Sequence, residues 1–146
     1  LLLVAGGIGI TPLYAMVLHW VKARRKVMQG KSGPSDIPSK MTLIYSTKSI
    51  DEFVFLDELQ ALEQDKQLAG TFKLKLHVTG NAAKEGAIKG RIQLSDLVVA
   101  LGETSSGELD SAHVLSCICG PQQMADGMSI LLMGLGLKLG QVRLEK

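Results

Sequence analysis

The stretch VAGGIGITP, residues 4–12, decides how the whole chain is read. It sets three glycines, Gly6, Gly7 and Gly9, between an apolar run at 1–5 and the Thr11-Pro12 pair. Gly loses more conformational freedom on folding than other residues, so this density is expected where a backbone turns tightly or another molecule comes close. The preceding run does not alternate, which suits a strand buried on both faces of a parallel sheet. Thr11 as N-cap and Pro12 at the first helical position predict a helix behind it. That helix carries Leu13, Met16, Val17 and Trp20 on one face and fades near Lys26.

The same alternation of strand and helix continues outward. Residues 29–40, with two glycines, two prolines and three serines, read as a surface loop. A strand follows at 41–45. Ser49 and Glu52 fit a capping box ahead of a helix with Phe53, Leu56, Leu59 and Leu62 on one face. Residues 72–78 alternate strictly, and the outward Lys73 and Lys75 suit a strand at or near a sheet edge. Residues 80–90 read as a second polar loop, Ser95 as the cap of a short helix over 96–101, and 102–112 as a third loop. A strand at 113–119 then leads to Gly120-Pro121, a second cap-then-Pro signal. The helix behind it carries Met124, Met128, Leu131, Leu132 and Leu135, and 141–146 reads as a last strand. This order predicts an α/β fold with a mainly parallel sheet, right-handed crossovers and helices on both faces.

Composition narrows the function classes. A chain of 146 residues suits one domain with a real core, and 46% apolar with 21% charged residues is ordinary for a globular protein. A net charge of +2 gives no footprint for nucleic acid, and the basic run at 22–26 reads as the solvated end of a helix. Residues 1–20 carry no charge from Asp, Glu, Lys or Arg, but three glycines and Pro12 interrupt them, which excludes a membrane span. The start is not basic, as a signal peptide requires. The chain opens on Leu inside an apolar run, so it is expected to be cut from a longer protein. Cys117 and Cys119 point to one face of their strand, where a mutual disulfide would be strained. Two such ligands make no zinc site, so no metal is expected, and the free thiols favour an intracellular, reducing compartment. His19, His77 and His113 have no partner motif.

In open α/β sheets ligands bind outside the carboxyl ends of the strands. Two such ends here carry glycine and proline, at 6–12 and at 119–121. A helix N-terminus behind a glycine turn offers free N–H groups and partial positive charge to a phosphate. The glycine spacing matches neither G-x-G-x-x-G nor the P-loop, so spacing alone leaves a dinucleotide cradle and an ordinary tight turn both open.

VAGGIGITP, then CICGPQQM at 117–124, then VRLEK at 142–146 together resemble the NAD(P)H-binding domain of the ferredoxin–NADP reductase superfamily. The resemblance covers nearly the whole chain, 1–146. It implies a Rossmann-like, five-stranded parallel sheet in the order 3-2-1-4-5. It also implies an N-terminal partner domain in the parent chain, an antiparallel barrel holding FAD or FMN, whose motif this chain does not carry. By resemblance, Gly6, Gly7 and Gly9 bring backbone close to a pyrophosphate, with Ile10, Thr11 and Pro12 completing the cradle. Cys119, Gly120 and Pro121 line the nicotinamide pocket, and Cys119 lies near the carbon that gives up hydride, without being a covalent nucleophile. Cys117 is core. Gly90-Arg91 is similar to a short element near the adenosine half. The segment after the second strand meets the adenosine ribose. There, Ser46, Thr47 and Lys48 would bind a 2′-phosphate, and a carboxylate at Glu52 would favour a free ribose. The balance of these groups favours NADPH over NADH.

The implied activity is an NAD(P)H-dependent flavoprotein oxidoreductase, with this chain as its non-catalytic nucleotide half. Electrons would pass through FAD to ferric iron, haem, oxygen or an electron-transfer protein. The segment at 51–63 and the long first loop resemble the ferric reductase and NADPH oxidase branch, whose partner is a membrane-embedded haem domain; a soluble flavin-dependent cytochrome reductase fits as well. Localisation at the cytosolic face of a membrane, in the cytosol or in a mitochondrion follows. The alternative is a non-catalytic nucleotide-binding or partner-docking module.

Overall fold

The computed structural model describes residues 1–33, 36–80, 86–102 and 106–145. The loop expectations at 34–35, 81–85 and 103–105, and the last residue of the terminal strand, lie outside the described residues. The apolar run before the glycines forms β1 (Leu2–Gly6), all five residues buried. It lies at the centre of a sheet, flanked in parallel by β2 (Met41–Thr47) and β5 (Ser116–Cys119). β3 (Phe72–Val78) and β4 (Ala87–Lys89) extend one side and β6 (Val142–Leu144) the other. The order is β4-β3-β2-β1-β5-β6, and every pairing is parallel.

The α/β class and parallel sheet are as the sequence predicts, with six strands in place of five. Without β4 the order is the expected 3-2-1-4-5. β4 lies inside the segment read as a polar loop. It pairs only with Leu76–Val78 and is too short to show a period of its own. The strand expected over 113–119 is regular only from Ser116, and the terminal strand only over Val142–Leu144.

β1 is apolar throughout because both faces are covered. Leu3 and Ala5 face α1 (Ile10–Met28) and α2 (Leu56–Gln64), in a core with Leu13, Val17, Trp20 and Tyr45. Leu2 and Val4 face α3 (Leu94–Leu101) and α4 (Gln122–Gly134), in a core with Ile44, Leu97, Ile118 and Leu132. Among the described residues no helix is long and apolar enough to cross a membrane.

Four expected caps are displaced, the last by one residue, since α4 starts at Gln122 with Pro121 as N-cap in place of Gly120. α1 begins at Ile10 with Gly9 as N-cap, after a 3₁₀ turn over Gly7–Gly9, so Thr11 lies inside the first turn and caps nothing. Ser49 makes no capping bond. Residues Ile50–Glu52 form one 3₁₀ turn, and Glu52 accepts from Lys48 N–H at 3.1 Å. α2 starts only at Leu56, behind Phe55, whose φ of 60° is left-handed and uncommon for an aromatic residue. The Phe55 ring stacks on Tyr14 of α1 with centroids 4.0 Å apart. α3 is capped not by Ser95 but by Gln93, in a capping box with Asp96.

Polar ties close the edges. Leu74 N–H, which β4 does not reach, donates to Glu63 Oε1 at 3.0 Å. Trp20 Nε1 donates to the Pro38 carbonyl at 2.7 Å and fixes the chain entering β2. Arg25 on α1 meets Asp65 beyond α2 at 2.6 Å. The Arg25 guanidinium, helped by Gln67 N–H, holds the Asp65 carboxyl below its ordinary 3.8. A depressed carboxyl pKa contributes stability at pH above the unfolded value, and that stability is lost as pH falls through the folded value. Asp65→Asn should therefore lower the urea midpoint near neutral pH. The gap from the parent should close on the acid side of 3.8. A gap independent of pH would show that the ion pair contributes nothing.

Candidate functional site

The two glycine turns meet at the carboxyl ends of β1 and β5. A side chain on Gly9 would place its Cβ 2.1 Å from the Cys119 carbonyl oxygen and 2.8 Å from Gly120 N. A Cβ on Gly120 would lie 3.1 Å from the Gly6 Cα and 2.6 Å from the Met124 methyl. Gly6 is covered by the Met124 sulfur and by Pro121. Gly9 is therefore required by the packing of one turn on the other, Gly120 is close to that limit, and Gly6 is hemmed in by side chains. Gly7 is different. Its φ is +54°, and nothing lies within 4 Å of where its Cβ would be. This glycine faces open space, beside Ile8, which is 88% exposed.

α1 and α4 begin side by side at this junction. Neither has a side-chain cap or an acidic residue in its first turn. α2 has Asp57 and Glu58 there, and α3 has Asp96 within a capping box. The partial positive ends of α1 and α4 thus carry no carboxylate in their own first turns, beside the open backbone at Gly7. Thr11 and Pro12 are exposed on the first turn of α1, Ile10 is buried beneath it, and Pro121 is exposed on the facing turn.

Cys119 ends β5 opposite Ala5 and is 7% exposed, with its side chain in the core under α1. Burial pushes its thiol pKa up, and the Glu145 carboxylate pushes it further. The thiol therefore stays protonated and is a poor nucleophile. Cys117 is buried in the same core, and both cysteines are free. Among the described residues no group of three His, Cys, Asp or Glu could hold a metal ion.

The ends of β2 and β3 form the other half of the crevice. Gly6, Ser46 and His77 are in register across β1, β2 and β3. Ser46 is half-buried. Thr47 is buried, and its hydroxyl donates to the Ser49 carbonyl at 2.7 Å, so it is not free for a phosphate. Lys48 is exposed. Its carbonyl accepts from Gly80 N–H at 2.8 Å, and a Cβ on Gly80 would lie 2.3 Å from that oxygen. Arg91 is exposed at the same end, directly after Gly90, whose carbonyl lies 3.3 Å from His77 Nδ1.

Sequence reasoning missed two residues here. Met124, read as a core position of its helix, lies over both Gly6 and Gly120. His77, read as having no partner, is fully buried beneath Gly90. Its one signal was a histidine at an outward position of an alternating strand. Cavities of about 490 and 430 Å³ both include Leu1 and Pro38, at the amino ends of the strands. Neither includes a residue of the glycine turns, which lie at the opposite, carboxyl end of the sheet.

Residues 3–129 match the profile of the family described as "Oxidoreductase NAD-binding domain". A zebrafish (Danio rerio) protein, "Oxidoreductase NAD-binding domain-containing protein 1", is 29% identical over 152 residues, covering 100% of this chain and 51% of that protein. The chain thus spans about half the length of this curated relative. The CS-b5R domains of human Ncb5or in the NAD+ form superpose with a TM-score of 0.75 at 22% identity, covering 99% of this chain and 36% of that one. A ferredoxin NADP+ reductase from Neisseria gonorrhoeae with bound FAD and NADP gives 0.70 at 20% identity, covering 99% and 54%. The matched stretch runs from β1 through most of α4 and takes in both glycine turns, and the chain belongs to the oxidoreductase NAD-binding domain family, with the fold of the nucleotide domain of ferredoxin–NADP reductases.

Proposed function

We propose that this chain is the pyridine-nucleotide half of a flavoprotein oxidoreductase. It would hold NAD(P)H so that hydride passes to a flavin carried by another domain of the protein. The observation that carries this is the pair of helices starting at the glycine turns: they alone among the four α-helices of the described residues lack acidic first turns. A diphosphate fits that junction, where N–H groups and helix dipoles converge beside open backbone at Gly7. The NAD+ form of Ncb5or and the FAD- and NADP-bound reductase, both with this fold, support the cofactor class.

The bound nicotinamide supplies the hydride. The chain's own part is positioning. Gly7 and the first turns of α1 and α4 would fix the diphosphate. Cys119, Gly120 and Pro121 would form the wall against which the nicotinamide rests, with the protonated Cys119 thiol packed behind it in the core. Ser46, Lys48 and Arg91 would lie along the adenosine half.

The choice between NADH and NADPH turns on Glu52. Its carboxylate is held in the turn after β2 by Lys48 N–H at 3.1 Å, where it would accept from free ribose hydroxyls and repel a 2′-phosphate. The exposed Lys48 ammonium pulls the other way, but on a flexible stem that must be ordered first. With Thr47 committed elsewhere, the fixed group outweighs the mobile one. This reverses the balance drawn from sequence and favours NADH. The electron acceptor, whether ferric iron, haem, oxygen or a protein, lies beyond the flavin and is not part of this proposal.

Three measurements test the reading. Calorimetric titration should give tighter binding of NADH than NADPH by up to about fivefold, the scale of an exposed charge pair, and Glu52→Gln should narrow the gap. Binding of neither nucleotide, with no flavin reduction by the whole protein, would remove the proposal. Binding without flavin reduction would instead support a nucleotide-sensing module. Gly7→Ala should cost about 1–2 kcal/mol in stability, from the left-handed backbone, and weaken NADH. Gly9→Ala should destabilise by about 3 kcal/mol or more, because its Cβ meets a backbone carbonyl. Equal melting temperatures for the two variants would contradict the packing role of Gly9. Cys119→Ala should leave NADH affinity within about twofold yet slow flavin reduction in stopped flow, since it alters packing at the ring rather than a binding contact. An unchanged rate would take Cys119 out of the site.

A further inference from the structure

His77 is the most deeply buried polar side chain at the carboxyl end of the sheet, and the reading above gives it no part. Its residue is 0% exposed. Nδ1 lies 3.3 Å from the Gly90 carbonyl oxygen. A carbonyl only accepts, so Nδ1 is the donor. Nε2 is buried, has no hydrogen-bond partner and faces Asp96 Oδ2 at 3.7 Å.

The groups around this ring all converge on one residue. Gly90 N–H donates to the Val78 carbonyl at 2.8 Å, and the Gly90 carbonyl takes the His77 proton. The Arg91 carbonyl accepts from Gln93 Nε2 at 3.3 Å. Gln93 N–H in turn donates to Asp96 Oδ2 at 2.6 Å, the same oxygen that faces His77. The backbone on both sides of Arg91 is therefore pinned, while its side chain is exposed and, among the described residues, paired with no carboxylate. Burying a histidine at the base of one exposed guanidinium, with one ring nitrogen left unpartnered, is costly unless that guanidinium must be presented in one place.

We infer that His77, with Asp96 and Gln93, is a positioning unit that fixes Arg91 toward the phosphate-bearing adenosine half of the nucleotide. This rests on the proposed nucleotide site. Register supports it, since His77 lies beside Ser46 on β2, itself beside Gly6. His77 touches no ligand and acts through the Gly90–Arg91 turn.

ADP-ribose and nicotinamide mononucleotide separate the two halves of the cofactor. Arg91→Ala and Gln93→Ala, both at exposed positions, should weaken ADP-ribose by about fivefold, the scale of one hydrogen bond or exposed charge contact, and leave the mononucleotide unchanged. His77→Leu keeps the volume and loses the donor, so it should weaken ADP-ribose to the same degree. His77→Asn keeps a donor near the Nδ1 position and should recover most of the affinity. A role in core packing alone predicts the reverse order, with Leu better tolerated than Asn. In an Arg91→Ala background, His77→Leu should cost no further affinity, because its effect passes through Arg91. The reversed Leu and Asn order, additive losses, or unchanged ADP-ribose binding in Arg91→Ala and Gln93→Ala would each overturn the inference, the surface variants deciding it even where His77→Leu fails to fold. Failure of the parent protein to bind NADH or ADP-ribose would instead overturn the nucleotide site itself.

Discussion

The carbonyl of Cys119 occupies the space that any side chain at residue 9 would need. That contact joins the turn after β1 to the turn after β5, and the rest of the crevice depends on it. Because Gly6, Gly9 and Gly120 bring the two backbones together, α1 and α4 start side by side on opposite faces of the sheet. Two uncapped helix ends then share one small region. The three glycines read from sequence as one cradle divide into two kinds. Gly6 and Gly9 lie against the turn after β5, Gly9 backbone to backbone, and Gly7 makes a left-handed turn open to solvent. Glycine spacing could not separate them, because the distinction lies in a contact across about 110 residues of chain.

The fold was legible where hydrophobic pattern is tied to coverage. β1 reads as a continuous apolar run because helices cover both its faces, and β3 alternates because its early half has Lys73 and Lys75 in water. The pattern fails at His77, an outward position that is nonetheless buried, because β4 and Gly90 cover only the last three residues of that strand. A three-residue strand such as β4 carries no period, so the cover was invisible. The failed caps share one cause. Ser49-x-x-Glu52 is a valid local option, yet Glu52 instead takes Lys48 N–H and Phe55 stacks on Tyr14, and these contacts move the helix start to Leu56. Local capping motifs offer about 1 kcal/mol, which one tertiary hydrogen bond or aromatic stack can match.

The polar cluster at the end of β2 shows the same limit within the site. Ser46, Thr47 and Lys48 look equivalent in sequence as phosphate ligands. A strand, however, sends neighbours to opposite faces. Thr47 turns inward to the Ser49 carbonyl, Ser46 faces the side of Ile44, and Lys48 has already left the strand. Only the fold can say which of three adjacent donors shares a surface with a ligand.

Charge placement links these separate facts. Acidic residues occupy the first turns of α2 and α3 and are missing from α1 and α4, which meet at the junction. The helix ends at β1 and β5 thus bring no carboxylate of their own, while Glu145 after β6 acts on Cys119 from the end of the chain. Toward β2 and β3 the crevice becomes mixed in sign, with Glu52 fixed in one turn and Arg91 presented from another. With strands about 4.8 Å apart, β5 to β3 spans about 14 Å, the scale of an extended dinucleotide. A ligand lying across it would meet two helix ends without carboxylates in their first turns at its diphosphate and a sign-patterned region at its far sugar. Binding strength and sugar selectivity would then be set at different strands, so that one can change without disturbing the other.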